Sequence, residues 1–255
     1  MDNEQLNSRG KVHVEPRGAL RGRETALWYP NEDRLEVRPL VGGGIQGPIA
    51  VTMGNGWRLE LRDDIRRSFM SYRPNPFPGL LINSWFYLCV NDLPWDRPWV
   101  NEKQLNRKAC WLTLPGVSKP YKYGGMEWSC RDMPGWFQLI TAQVMQVCGV
   151  TQPPNSCNAN LYEHGDDVVG WHADDEPLFK ATLQDALIIS LSLGTKRTFA
   201  YRLNTQPNHE HKITLGDGDL CTMEGMMQKY YKHAILKRKG ETQARVNLTW
   251  RWIVA

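Results

Sequence analysis

Residues 156–174 read SCNANLYEHGDDVVGWHAD, and this stretch decides the fold because it contains two short strands joined by a Gly-Asp-Asp turn. Polar and apolar side chains alternate within each strand, as in strands that have one face on a core. Turn residues separate further strands up to the C terminus, namely ALIISLSLG, RTFAYRL, HKITLGDGDLCTM, KHAIL and ARVNLTWRWIV. The C-terminal half is therefore predicted to be antiparallel β, in a double-sheet jelly roll.

Two helices are predicted before these strands. The first has Ser84 as its N-cap, runs through WFYLCVNDL and stops before Pro94. The second begins at Pro134, has apolar side chains at helical spacing and ends at Gly149. With the helices packed on the jelly roll, the fold class is α+β, mainly β.

The N-terminal segments differ in composition from the rest of the chain. Residues 1–30 are polar with scattered arginines and are predicted to form a mobile basic arm. Residues 31–72 are predicted to hold a β-hairpin extension, in which IAVTM and WRLELR flank the turn residues GNG (54–56). The Pro-rich segment RPNPFPG (73–79) marks the boundary of the main domain, which spans residues 73–255.

Composition narrows the class of protein. The longest apolar runs are far shorter than the ~18 residues that a membrane-spanning helix needs, and the N terminus lacks the apolar region of a secretory signal. Six scattered cysteines disfavour a disulfide framework and a zinc ribbon. These features indicate an intracellular protein of the nucleus or cytoplasm. The net charge of +4 is compatible with a nucleic-acid partner, and the eleven tryptophans fit either core packing or a base-stacking surface.

The segment W-H-A-D places two metal-binding side chains two residues apart. Residues i and i+2 of a strand point to the same face, so His172 and Asp174 can present an imidazole and a carboxylate together. A single His-x-Asp triplet is weak evidence for a metal site. His233 strengthens it, because it lies on another predicted strand, in Y-K-H-A-I. Two histidines and one carboxylate are typical of Fe(II) oxygenases. Zinc is the alternative, but its catalytic sites usually have three histidine ligands or an HExxH helix, and the sequence shows neither pattern.

The last strand carries two arginines on one face. In RVNLTWR, Arg245, Asn247, Thr249 and Arg251 all point the same way. Guanidinium groups on a mostly apolar strand are costly unless they meet an anion, and a dicarboxylate such as 2-oxoglutarate would satisfy them through paired hydrogen bonds. The alternative is that Arg251 simply faces solvent near the C terminus.

Asn160 and Tyr162 share one face just before the metal-binding segment.

Four blocks of sequence together resemble the AlkB family of alkylation-repair dioxygenases. They are NLYEHGDDVVGWHADDEPLF, SLSLGTKRTFAYR, GDLCTMEGMMQKYYKH and RVNLTWR, and the resemblance covers roughly residues 75–255. It implies a double-stranded β-helix (jelly-roll) core, Fe(II) held by His172, Asp174 and His233, and 2-oxoglutarate and O2 as co-substrates. It also implies that Asn160, Tyr162 and Arg245 bind 2-oxoglutarate, with Asn247, Thr249 and Arg251 lining that pocket.

The resemblance further implies a nucleic-acid substrate. Its blocks are most similar to those of the repair enzymes that act on 1-methyladenine and 3-methylcytosine, in which the positions of Asp175 and Glu176 lie beside the flipped base. Residues 107–128 resemble the nucleotide-recognition lid of the family, where Trp111, Tyr121 and Tyr123 either contact the nucleotide or form the core of the lid. Basic residues at 107–108, 196–197, 202 and 237–239 either follow phosphates or form solvated faces.

Three functions remain open at this point. The first is oxidative demethylation of N-alkylated bases in single-stranded DNA or RNA, or of a base flipped out of a duplex, by a monomeric enzyme. The second keeps the iron and 2-oxoglutarate but hydroxylates a small molecule or a protein. The third is a catalytically silent nucleic-acid-binding module. Two departures from the family pattern are the longer P-G-V-S-K connection in the lid and Trp250, where the family commonly has a smaller aromatic side chain.

Overall fold

The computed structural model describes residues 56–254, apart from residues 101, 124 and 125. The predicted basic arm, residues 1–30, and most of the predicted extension lie outside the described residues. Within them, no helix is long and apolar enough to cross a membrane.

The described chain is built mainly of short strands, with three helices. The helices are α1 (Gly79–Asp92), α2 (Gly135–Val147) and the single turn α3 (Met227–Tyr230). The strands are β1 (Arg58–Asp63), β2 (Ser68–Arg73), β3 (Trp99–Val100), β4 (Lys103–Gln104), β5 (Lys108–Thr113), β6 (Tyr121–Tyr123), β7 (Met126–Trp128), β8 (Arg131–Asp132), β9 (Ser156–Tyr162), β10 (Val169–His172), β11 (Ala186–Gly194), β12 (Arg197–Leu203), β13 (His211–Leu215), β14 (Leu220–Gly225), β15 (Tyr231–Ile235) and β16 (Arg245–Arg251).

Two sheets form the core of the fold. The major sheet has the strand order β1-β2-β14-β11-β16-β9-β5-β8, and the minor sheet has the order β10-β15-β12-β13. Every pairing in them is antiparallel except that of β5 with β8. Apolar side chains from both sheets pack between them, including Ile188 and Met223 of the major sheet and Phe199 and Ile235 of the minor sheet. The predicted mainly-β jelly roll, a double-stranded β-helix with flanking helices, is confirmed.

The helices cover the outer face of the major sheet. Trp85 of α1 and Phe137 of α2 pack with Leu191, Leu248 and other side chains that point away from the minor sheet. Helix α2 matches its prediction, with Pro134 as its N-cap and Gly149 just beyond its end at a φ of +65°. The predicted N-cap of α1 was wrong. Its N-cap is Pro78, six residues before the predicted N-cap, and Ser84 lies inside the helix, where its hydroxyl donates to the Leu80 carbonyl at 2.9 Å.

A β-hairpin precedes α1. Strands β1 and β2 pair with each other, and β2 also pairs with β14, so this hairpin continues the major sheet. Residues 49–53, which the sequence pairs with residues 57–62, lie outside the described residues. Among the described residues, residues 58–63 pair with residues 68–73 across the turn at Asp64–Arg67.

Candidate metal centre and adjoining pocket

The two histidines predicted to bind metal are cross-strand neighbours. His172 ends β10 and lies opposite His233 in the middle of β15, with ring centroids 4.2 Å apart. Asp174 follows β10, and its Oδ1 is 3.8 Å from His172 Nε2. One ligand atom from each of the three side chains lies within 4.8 Å of the other two. The strand pairing therefore brings together residues that are far apart in the chain.

The surroundings keep all three side chains in the form that binds a cation. The His172 ring hydrogen-bonds through Nδ1 to the Gly170 carbonyl at 2.8 Å. Because a carbonyl only accepts, Nδ1 carries the proton and Nε2 keeps its lone pair. Burial lowers the pKa of His172, and burial together with the neighbouring His172 lowers that of His233 to about 3.

Asp174 is fully buried and paired with an arginine. Burial alone would raise its pKa, but the Arg251 guanidinium and the two histidines lower the pKa of Asp174 to about 2. Arg251 Nη2 lies 2.6 Å from Asp174 Oδ1, whereas Asp174 Oδ2 has no hydrogen-bond partner among the described residues. A buried carboxylate oxygen of this kind, beside two neutral imidazoles, fits a divalent cation.

A cavity adjoins the metal centre. It lies between the two sheets and is lined by every residue that the sequence assigned to the metal or to 2-oxoglutarate: Asn160, Tyr162, His172, Asp174, His233, Arg245, Asn247, Thr249 and Arg251. The alternation along β16 explains this, since its odd-numbered residues face the cavity while Val246, Leu248 and Trp250 face the helices.

Arg245 is the strongest indication of an anionic ligand. Its side chain is 0% exposed, and Nη2 donates to Ser192 Oγ at 2.8 Å. Nε and Nη1 have no hydrogen-bond partner in the described part of the chain, although the Tyr162 ring lies 5.2 Å from the guanidinium carbon. Two unsatisfied donors of a buried cation fit the distal carboxylate of a dicarboxylic acid.

Asn247 and Thr249 form a hydrogen-bonded row along the cavity. Asn247 Nδ2 donates to Ser190 Oγ at 2.7 Å, and the Thr249 hydroxyl donates to Asn247 Oδ1 at 3.1 Å. Arg251, which the sequence also placed beside 2-oxoglutarate, lines the cavity but directs Nη2 to Asp174. The alternative prediction, that Arg251 faces solvent, is wrong, because Arg251 is buried.

Sequence reasoning missed several residues of the cavity wall, among them Asn158 and Arg107. Asn158 shares the face of Asn160 and Tyr162, so the alternation along β9 could have identified it. Arg107 was predicted either to follow phosphate or to lie on a solvated face, but it is buried and its Nε donates to Asn160 Oδ1 at 2.6 Å. No local pattern predicts this bond, because its partners belong to distant segments of the chain.

The lid aromatics are arranged in a stack. Tyr121 borders the cavity, and its hydroxyl donates to Glu176 Oε1 at 2.7 Å. Trp111 is only 1% exposed and lies against Tyr121, with ring centroids 4.6 Å apart, so its ring is part of the lid core and does not face the cavity. The side chain of Tyr123 is outside the described part of the structure.

The two acidic residues after the metal-binding segment differ in environment. Asp175 is exposed, whereas Glu176 is buried beneath Tyr121. Burial and the nearby charge of Asp174 raise the pKa of Glu176 to about 7. The structure thus brings Tyr121 to the cavity, with Glu176 buried behind it, and leaves Asp175 on the surface.

Comparison with known proteins agrees with this geometry. The sequence profile of the 2OG-Fe(II) oxygenase superfamily matches residues 88–251. The chain is 30% identical over 177 residues to alpha-ketoglutarate-dependent dioxygenase alkB homolog 3 of Homo sapiens, covering 65% of this chain and 59% of the relative. It is 25% identical over 202 residues to DNA oxidative demethylase ALKBH2 of Arabidopsis thaliana, covering 67% of this chain and 62% of the relative.

These matches span about three-fifths of the length of the curated relatives. Among solved structures, OsALKBH1 has the same fold, with a TM-score of 0.50 and 17% identity over 76% of this chain and 100% of that one. The predicted resemblance to the AlkB family is confirmed by these relatives. The chain belongs to the 2OG-Fe(II) oxygenase superfamily, and the curated relatives named above are AlkB homologues.

Proposed function

We propose that this protein is an Fe(II)- and 2-oxoglutarate-dependent oxidative demethylase of N-alkylated nucleobases, of the 1-methyladenine and 3-methylcytosine type, in DNA or RNA. The observation that carries the proposal is the single cavity in which the His172, Asp174 and His233 trio adjoins the buried, under-satisfied Arg245. The AlkB relatives supply the class of substrate.

Each part of the cavity has a separate task. His172, Asp174 and His233 would hold the iron, and Arg245 would bind the distal carboxylate of 2-oxoglutarate, with Asn160 and Tyr162 beside it. With O2, the bound iron and 2-oxoglutarate supply the oxidation of an N-methyl group, which leaves as formaldehyde while 2-oxoglutarate becomes succinate and carbon dioxide. The cavity walls would orient the reacting groups and exclude water from the cavity, because Arg245 and His233 are buried.

The mouth of the cavity suits a base that has been removed from its stack. A base inside a duplex cannot reach a buried cavity, so it must be flipped out or already single-stranded. Glu176 and Asp175 would complement the positive charge of a base methylated on a ring nitrogen, and the Tyr121 hydroxyl fixes one oxygen of Glu176. Trp111 would support Tyr121 from behind.

The test is a panel of single- and double-stranded DNA and RNA oligonucleotides that carry single methylated bases. Mass spectrometry would follow the loss of 14 Da per methyl group (CH3 replaced by H), and formaldehyde would be measured in parallel. We expect stoichiometric formaldehyde and succinate with at least one 1-methyladenine or 3-methylcytosine substrate. The matched control is Asp174→Asn, which keeps the shape of the side chain but not its charge.

Two outcomes would replace this function with an alternative. Succinate released without demethylation of any methylated base would favour a hydroxylase of a small molecule or protein. Nucleic-acid binding with no iron-dependent succinate under any condition would favour a silent binding module.

We also propose that the enzyme acts as a monomer in the nucleus or cytoplasm, since one chain supplies the whole described cavity. Light scattering of the purified chain and fluorescence microscopy of a tagged chain would test these two points. A dimer whose dissociation abolishes turnover would contradict the first, and a secreted protein would contradict the second.

A further inference from the structure

The backbone of Asp174 lies outside the sheets. Strand β10 ends at His172, so no strand pairing holds Asp174, which contributes the one carboxylate of the metal centre among the described residues. We infer that Gln228 of α3 is a positioning residue for the metal centre, because it holds the backbone of Asp174 in place through a buried hydrogen bond. The inference rests on the metal site of the proposed function and is independent of its nucleic-acid substrate.

The contact is well defined. Asp174 N donates to Gln228 Oε1 at 2.9 Å, and Gln228 is 3% exposed. Because a backbone N–H can only donate, the atom that it meets must be the amide oxygen, which fixes the orientation of the Gln228 amide. The amide nitrogen lies 3.6 Å from Met223 Sδ, a weak acceptor between the sheets.

Helix α3 is itself anchored at both ends. At its start, Met226 N donates to the Arg67 carbonyl in the turn of the β1–β2 hairpin at 2.8 Å. At its end, Asn204 Nδ2 donates to the Lys229 carbonyl at 3.0 Å. The helix leads directly into β15, which carries His233. Gln228 therefore ties the backbone of one metal ligand to the segment that precedes another.

This tie matters because the Asp174 side chain has two competing partners. Arg251 is 2.6 Å from Oδ1, and a bound cation would draw the carboxylate towards the histidines. With the backbone fixed, the carboxylate can serve both partners. Without the tie, the loop after β10 can shift the carboxylate towards Arg251, and the buried N–H of Asp174 loses its acceptor. Loss of a residue that orients a metal ligand commonly weakens metal affinity by roughly 10–100-fold.

The test measures metal affinity directly, without 2-oxoglutarate, oxygen or nucleic acid. The full chain, freed of metal, is titrated with Co(II), and the visible absorption of the bound ion reports both the affinity and the geometry of the site. Gln228→Met keeps the size of the side chain but removes the acceptor. Gln228→Glu keeps an accepting oxygen. Asn204→Ala removes the hydrogen bond at the other end of α3, at an exposed position, without touching Asp174.

We expect Gln228→Met to raise the Kd for Co(II) by at least about tenfold and to change the Co(II) spectrum. Gln228→Glu and Asn204→Ala should stay within about threefold of the parent. The inference is overturned if Gln228→Met binds Co(II) as tightly as the parent, if Gln228→Glu is as weak as Gln228→Met, or if Asn204→Ala weakens binding equally. Should Gln228→Met fail to fold, Gln228→Asn, whose amide is too short to reach, replaces it under the same criteria. Because nucleic acid is absent, failure here is distinguishable from failure of the demethylase proposal.

Discussion

Asp174 is the residue on which the metal centre and the lid converge. Its carboxylate contacts Arg251, Arg251 Nη1 donates to the Tyr121 hydroxyl at 3.3 Å, and Tyr121 donates to Glu176. A chain of buried hydrogen bonds therefore leads from a predicted iron ligand to the lid residue Tyr121 and to Glu176. Removing the carboxylate breaks this chain at its metal end only.

We predict that Asp174→Ala abolishes 2-oxoglutarate turnover and leaves oligonucleotide binding within about threefold of the parent. The metal would lose its only carboxylate ligand, while the basic and aromatic surface would stay in place. Succinate release and fluorescence anisotropy with a labelled single-stranded oligonucleotide measure the two effects. Turnover that survives the substitution would contradict the assignment of Asp174 to the metal.

The ligands also predict how metal binding depends on pH. An exposed histidine, with a pKa near 6.5, would compete with metal by taking up protons as the pH falls to 6. In this chain burial lowers the pKa of the two ligand histidines, that of His233 to about 3, and the Arg251 guanidinium and the histidines lower the pKa of Asp174 to about 2. His233 and Asp174 are thus already deprotonated at pH 6, and burial makes His172 take up a proton less readily than an exposed histidine. We therefore expect the Kd for Mn(II) to rise less between pH 7.5 and 6.0 than it would at a site with an exposed histidine.

The measurement for this prediction is a Mn(II) titration followed by electron paramagnetic resonance at several pH values. A short peptide with the same His-x-Asp spacing is the control, because its exposed histidine should lose affinity over the same range. A tenfold loss of affinity in the protein by pH 6.0 would show that the histidines are not protected from protonation.

At the scale of elements, β16 contacts the cavity on one face and the helices on the other. Trp250 is fully buried against Phe137 of α2, and its Nε1 donates to Thr141 Oγ1 at 2.9 Å. Thr141 in turn donates to the Phe137 carbonyl. The large side chain noted in the sequence is therefore accommodated by a hydroxyl on the packed face of α2.

We predict that Trp250→Phe lowers the free energy of unfolding by about 1–3 kcal/mol, because it removes buried volume and leaves the Thr141 hydroxyl without its donor. Urea denaturation at neutral pH would measure the loss. Thr141→Val is the matched change on the helix, and the two losses should not be additive, since both break the same bond. Both variants should bind metal as tightly as the parent. A parallel loss of metal affinity would contradict the view that the two faces of β16 act independently.

The sequence predicted the elements whose pattern is local. The alternation along β16 identified four cavity residues correctly as sharing one face, and the apolar spacing of α2 between Pro134 and Gly149 located that helix. The start of α1 could not be inferred from Ser84, because a serine inside a helix can donate back to a carbonyl four residues earlier.

Long-range contacts were not predictable in this way. The bond from Arg107 to Asn160 and that from Asp174 to Gln228 each join segments more than fifty residues apart. Burial of Trp111 likewise depends on how the irregular chain from residue 114 to residue 120 folds back over it, where its Nε1 donates to the Lys119 carbonyl. No periodicity in the sequence reports such contacts.

At the scale of the whole molecule, the cavity joins strands from both sheets, so ligands bound there should stabilise the fold. We predict that Mn(II) and 2-oxoglutarate together raise the Tm by more than the sum of their separate effects, because metal and Arg245 would hold the same diacid. At about 100 times the Kd, the gain is about 2.7 kcal/mol, or roughly 5–10 °C for a domain of this size.

Differential scanning fluorimetry without oxygen would measure these shifts. Arg245→Met is the control, since it should keep the shift caused by Mn(II) alone and lose the extra shift caused by 2-oxoglutarate. A full extra shift in that variant would mean that 2-oxoglutarate binds elsewhere.

The length of β16 also limits which insertions and deletions the gene for such a protein can tolerate. Arg245 and Arg251 begin and end β16, so at a rise of about 3.3 Å per residue their Cα atoms are about 20 Å apart. Inserting or deleting a single codon between them would turn one arginine towards the helices and bury its charge among apolar side chains. Length variation is therefore expected in the connections around the sheets, such as the one after β5, while β16 should keep its seven residues in every functional descendant.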